Sequence, residues 1–223
     1  MRYDEYEMPR HFPDPMEDPD PEHPDEERPA QPDDSPRVTP TVLTEDTRNL
    51  LFKARTLIIS GEVNQKLAAN VIGQLLAMDS QSSEPVTIYI NSQGGHVESG
   101  DTIHDMVQYI RSPVRMVGTG WVASAGALIY VAVPSDRRFS LPHTRYLLHQ
   151  PAGGARGSAA DVEIEAREIL KMRERLNRVF AERTGQTVER IEDDTRRNFW
   201  LGAEEAVAYG LVGKIIRHVD ELV

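Results

Sequence analysis

The chain has 223 residues, 39% of them hydrophobic, which is enough for one compact domain with a substantial core. It contains no cysteine, so disulfides and thiolate metal sites are excluded. The net charge of −11 is gathered at one end: residues 1–40 carry 13 Asp and Glu against 4 Arg, with 10 of the 15 prolines, and the remainder is close to neutral.

That composition reads residues 1–40 as a disordered, acidic, proline-rich arm, too poor in apolar groups to offset the entropy of ordering. Residues 41–223 read as the folded domain. Solvation is the ordinary role of such an arm, and docking to a basic partner is the alternative. No basic stripe with interleaved aromatics occurs, so no nucleic-acid partner is expected. The N-terminus has no apolar signal core and no stretch reaches about 18 apolar residues, which predicts a cytoplasmic protein without a membrane partner.

In chain order, "RTLIIS" (55–60) predicts a strand and "NQKLAANVIGQLLAM" (64–78) a helix. "VTIYIN" (86–91) and "VESGDTIHDMVQYI" (97–110) repeat the pair, followed by "VRMVGTG" (114–120) with "SAGALIYVAV" (124–133), and by the strand "RYLLHQ" (145–150). This alternation implies right-handed βαβ crossovers and a buried parallel sheet, hence an α/β fold. In 158–185, Val162, Ala166, Ile169, Met172, Leu176, Val179 and Phe180 fall three or four apart and form one stripe of an amphipathic helix. Ser158 with Asp161 predicts its cap and Gly185 its stop. The densely charged opposite face allows the helix either to lie on its own sheet or to project toward a partner.

Nucleophilic hydrolysis needs a hydroxyl, a base, a group to orient the base and N–H donors for an oxyanion. Ser124 stands where a predicted strand runs into a helix, between alanines, and reads either as a helix cap or as a nucleophile. His149 ends a predicted strand at the carboxyl edge, where α/β sheets build sites, although a lone histidine there is commonly structural. The Gly94–Gly95 pair in "INSQGGHVESG" follows a strand and can bring a backbone N–H close to a ligand. Neither "GGHVESG" (94–100) nor "GGARGS" (153–158) has a phosphate-binding pattern, and no histidines have metal-ligand spacing, so neither cofactor nor metal is expected.

"GWVASAGA", "RYLLHQPAGG", "DVEIEAREIL" and "AEEAVAYGLV", in this order and spacing, closely resemble ClpP, the proteolytic subunit family of the Clp protease. The resemblance runs over roughly residues 46–218. It implies a crotonase-like (ClpP) fold with a projecting handle helix near 159–183 that interlocks two stacked heptameric rings, a tetradecamer fed with unfolded polypeptide by a hexameric AAA+ unfoldase. It further implies Ser124 as nucleophile, His149 as general base, Gly95 and Ala125 as oxyanion donors, and Val97 and Ala152 as residues whose main chain pairs with an extended substrate. The function so implied is that of an ATP-partnered serine endopeptidase.

The chain departs from the family pattern at several positions. Asn198 stands at the third triad position, where the family usually has Asp; an amide oxygen can hold the histidine tautomer but brings no charge. Asp194, one helical turn earlier, is a candidate for a more distant charge. Gln93 replaces a usual proline before Gly94 and predicts a looser turn. Arg196 and Arg197 replace an acidic–Arg pair, and Arg48 stands at a usual Tyr. These departures support a second reading, a weakly active or inactive ring subunit assembled with an active paralogue. An enzyme of the same fold acting on acyl-CoA is a third, for which no basic phosphate site is visible.

Overall fold

The computed structural model describes residues 43–151, 153–154 and 156–222. The acidic arm at 1–40 and Ala152 lie outside the described residues. A short helix, α1 (Glu45–Lys53), capped by the Thr44 side chain, precedes the sheet. The first crossovers follow as the apolar periodicity demands: β1 (Thr56–Val63), α2 (Gln65–Gln81), β2 (Val86–Gly95), α3 (Val97–Tyr109) and β3 (Val114–Ala123). Next come α4 (Ala125–Tyr130), β4 (Arg138–Ser140), β5 (Arg145–Leu148), the 26-residue α5 (Ala159–Thr184), α6 (Val188–Thr195), β6 (Phe199–Gly202), α7 (Ala203–Ala208) and β7 (Lys214–Ile215).

The fold is α/β, as expected. The main path of the sheet is β1-β2-β3-β4-β7, and each neighbouring pair is parallel. β3 serves two partners: residues 116–118 pair with β4, and residues 121–123 pair with β5, also parallel. β6 then adds to β5 antiparallel, the exception to the expected parallel sheet. The face of the sheet turned to the helices is buried, with Ile88, Ile90, Met116 and Val122 at zero exposure, whereas the other face is more open than a doubly covered parallel sheet would be, Ile58 being 47% exposed. Leu75, Ile103, Ile129 and Tyr130 on the helices complete the main core.

α5 has the cap and stop expected of it. Ser158 accepts from the Asp161 N–H while Asp161 receives the Ser158 N–H, and Gly185 ends the helix at φ 75°. Only its second half is anchored: Leu176, Asn177, Phe180 and Ala181 are buried, whereas residues 159–168 are exposed throughout. At 1.5 Å per residue the uncovered part extends about 15 Å.

Candidate active site

Ser124 is the hinge between β3 and α4. Its N–H donates to the Leu147 carbonyl at 2.9 Å, extending the β3–β5 ladder, and its carbonyl accepts from Leu128 N–H at 3.1 Å, opening the helix. A residue that ends a strand and starts a helix without a loop must turn sharply, and Ser124 does so at φ 54°, ψ −121°. Such a conformation costs on the order of 1–3 kcal/mol in a non-glycine residue and persists only where neighbours fix it. The hydroxyl makes no capping hydrogen bond, so the capping reading of this serine is not the one the geometry adopts.

Small neighbours are a steric necessity here. A Cβ on Gly94, at φ 92°, would lie 2.6 Å from the Ser124 Cβ and 3.0 Å from the Ala125 nitrogen. Gly95, at φ 149°, packs against the Val63 carbonyl. His96 N–H donates to that same carbonyl at 2.8 Å, so the parallel ladder runs through Val63 to residues 94 and 96 and does not use the Gly95 N–H. The Ala125 N–H lies in the first turn of α4, where N–H groups have no intrahelical acceptor.

The β5–β6 register brings His149 and Asn198 together. Arg145 faces Gly202, Tyr146 faces Leu201, Leu147 faces Trp200 and Leu148 faces Phe199; one step further sets His149 opposite Asn198. His149 Nδ1 and Asn198 Oδ1 are 3.2 Å apart. With the amide oxygen as acceptor, Nδ1 carries the hydrogen and Nε2 keeps the lone pair a general base requires. Gln150 continues the link, its N–H donating to Thr195 O at 2.9 Å and its side chain to Arg196 O at 3.2 Å. Among the described residues no hydrogen bond joins Ser124 to His149; they share the wall of one pocket, and bonds of this kind commonly close only around substrate.

Asp194 does not serve this histidine. Its carboxylate is held by Arg190 Nε at 2.6 Å and by the Tyr209 hydroxyl at 2.9 Å. Burial and that bond push the Tyr209 phenol up, so it remains the donor. Arg196 pairs with Asp193 at 2.9 Å. Gln93 also differs from expectation, because its turn is tied to β1 by side-chain hydrogen bonds rather than loosened.

The pocket beside Ser124 and His149 is walled by Val97, Leu128, Leu148, Pro151, Leu176 and Phe180. Its volume is about 20 Å³, room for about one water. Val97 is the first residue of α3 and contributes a wall. Leu128, Leu176 and Phe180 were legible in the sequence only as apolar helix residues, because periodicity marks a buried face without saying what that face borders. Among the described residues no group of His, Asp or Glu has the arrangement of a metal site. A hydroxyl on a strained turn, an imidazole with an oriented tautomer and two unpaired N–H groups beside an apolar pocket can together perform acyl transfer.

The family described as Clp protease matches residues 41–219. The ATP-dependent Clp protease proteolytic subunit 3 of Rhizobium etli is 58% identical over 82% of this chain and 94% of its own length. Subunit 2 of Gluconobacter oxydans is 59% identical over 77% of this chain and 78% of its own. Among solved structures, ClpP1 from Listeria monocytogenes is 55% identical with a TM-score of 0.73, covering 79% of this chain and 99% of that one. An Asn→Asp mutant of the same Listeria protein gives a TM-score of 0.74 at 55% identity, covering 78% of this chain and 98% of that one.

Proposed function

The chain belongs to the Clp protease family, and on that premise we propose that it is a serine endopeptidase that hydrolyses peptide bonds of unfolded polypeptides. Ser124 Oγ attacks the scissile carbonyl carbon while His149 Nε2 takes its proton. The carbonyl π electrons move to oxygen, and the resulting oxyanion is met by the Gly95 and Ala125 N–H groups. Collapse of the adduct breaks the C–N bond, the leaving amine takes the proton from His149, and water repeats the sequence on the acyl-enzyme. Asn198 orients the imidazole. Val97 and Ala152 would flank an extended substrate chain, whose side chain at the cleaved bond enters the apolar pocket.

The observation that carries this reading is the register that sets Ser124, His149 and Asn198 at one end of β3, β5 and β6. The resemblance to Clp proteolytic subunits extends the reading to a cytoplasmic chamber of two stacked heptameric rings served by a hexameric AAA+ unfoldase. A serine-directed fluorophosphonate tests the chemistry: stoichiometric labelling of the full chain is expected by intact mass, and none of Ser124→Ala. Equal labelling of the two proteins would reject Ser124 as nucleophile.

A second reading is favoured by the uncharged partner of His149. In it, the chain is a weak or silent ring subunit that modulates an active paralogue. Peptidase activity from an assembly of this chain alone would exclude it; activity that arises only on mixing with a second Clp proteolytic subunit would support it.

A further inference from the structure

The turn that carries Gly94 and Gly95 contains a mismatch. Between the pairs Ser60↔Asn91 and Glu62↔Gly94, β1 advances two residues while β2 advances three. The extra residue of β2 falls at Ser92–Gln93, opposite Gly61, and such a bulge removes ladder hydrogen bonds and lets the strand bend. Side chains replace what the ladder loses. Ser92 Oγ donates to the Gly61 carbonyl at 2.6 Å and accepts the Gly94 N–H at 3.1 Å. The Gln93 carboxamide, oriented by its surroundings, donates to the same carbonyl at 3.1 Å and accepts the Glu62 N–H at 3.2 Å.

The two clamps differ in character. Ser92 is fully buried and packs against Gly126, so it belongs to the core. Gln93 lies at the surface, one residue before Gly94, and spans a donor and an acceptor on consecutive residues of β1. Its carboxamide carries both groups, whereas a carboxylate lacks the donor and an apolar side chain lacks both. Gly94 in turn abuts Ser124 and Ala125 so closely that no side chain fits between them. Any slip of the turn along β1 therefore moves the Gly95 N–H relative to Ser124.

We propose that Gln93 is a positioning residue: its bridge to Gly61 and Glu62 locks the bulged turn and so aims the Gly95 N–H at the carbonyl attacked by Ser124. The aim of that N–H rests on the hydrolase reading above, whereas the lock itself does not. A proline would stiffen this turn from within its own backbone; here the stiffness comes from across the strand.

Amide hydrogen exchange and kinetics on the full-length chain test the two parts separately. In Gln93→Ala, exchange at Glu62 and through residues 92–95 is expected to speed up about tenfold or more, with the melting temperature little changed. Peptide turnover should fall about tenfold in kcat with KM within about twofold, since a misaimed oxyanion donor acts on the transition state. Gln93→Glu, which keeps the acceptor and loses the donor, should show the same loss. Gln93→Pro, which restrains the turn by another route, should recover most of kcat. Unchanged exchange in Gln93→Ala overturns the lock, and faster exchange with an unchanged kcat overturns the positioning role. If the wild-type chain neither labels nor turns over, the hydrolase reading fails and the exchange data alone decide the lock.

Discussion

At the scale of single residues, the site differs from a charged triad by one atom pair. The Asn198 oxygen accepts from His149 and fixes the tautomer, but it leaves the imidazolium formed during attack without a countercharge. In a Ser-His-Asp protease the Asp→Asn change lowers kcat by ~10⁴ because it upsets the histidine tautomer, a loss that an accepting amide oxygen avoids. This chain's surroundings have been built around the amide, so Asn198→Asp is expected to raise the fluorophosphonate labelling rate by about tenfold or more, with ~10⁴ as the ceiling. A slower or unchanged rate would mean that orientation, not charge, limits the histidine. Gly94→Ala is the steric counterpart: the added Cβ collides with the Ser124 Cβ at 2.6 Å, and labelling should be lost even where the fold survives. Ser124 and His149 were legible in the sequence as candidates, Ser124 because a predicted strand runs into a helix there and His149 because it ends an apolar strand run at the edge where α/β sheets gather chemistry. Asn198 was legible only through the family resemblance, since one asparagine in a charged stretch carries no pattern. Gln93 was legible as a departure but not as a clamp, because the bulge it spans depends on the register of two strands.

At the scale of elements, the long periodic segments announce themselves and the short ones do not. α2, α3 and α5 lie within a few residues of where their apolar spacing places them, and α4 occupies only part of the apolar run at 124–133 because a wholly buried run has no periodicity to mark its ends. β4, β6 and β7 have two to four residues, too few for alternation to register, and nothing local distinguishes the antiparallel β6 from a parallel strand. The predicted strand at 145–150 stops at Leu148, which leaves His149 to line the pocket beside Ser124 while Gln150 ties back to Thr195 and Arg196. The joint between α3 and α4 gives an element-scale prediction. Buried His104 donates its Nδ1–H to the Leu128 carbonyl at 2.8 Å, and Leu128 walls the pocket beside Ser124 and His149. Burial lowers the His104 pKa below its usual 6.5, against smaller opposing effects of Leu128, Asp105 and Asp101. The unfolded chain therefore takes up that proton first as pH falls, so the contribution is fully present above about 6.5 and is lost below it. Thermal unfolding at pH 7.5 and 5.5 should show a drop in Tm that shrinks in His104→Gln, which retains a donor without titrating. An equal drop in both proteins would assign the pH dependence elsewhere.

At the scale of the whole molecule, the outstanding feature is the half of α5 that the domain leaves bare. Within its apolar stripe Leu176 and Phe180 are buried while Val162 is 40% exposed, and Leu170, beside the stripe, is 50% exposed. A helix that extends about 15 Å into solvent with an apolar stripe gains nothing from its own chain, because propensity and ion pairs such as Glu168–Lys171 at 2.6 Å supply only tenths of a kcal/mol each. Covering that stripe with the same stripe of a second copy buries it without disturbing the domain core, in line with the ring-to-ring handle that the family resemblance implies. Val162 and Leu170 are both exposed and stand outside the buried core, so Val162→Lys with Leu170→Lys should leave the far-UV circular dichroism and Tm of the domain intact. In sedimentation velocity, the double variant is expected to run at half the assembly mass of the wild type, with the difference maintained at high salt because the stripe that joins the two copies is apolar. An unchanged mass would show that the exposed half of α5 does not carry the association, and the stripe would then have to be covered by some other surface of the ring.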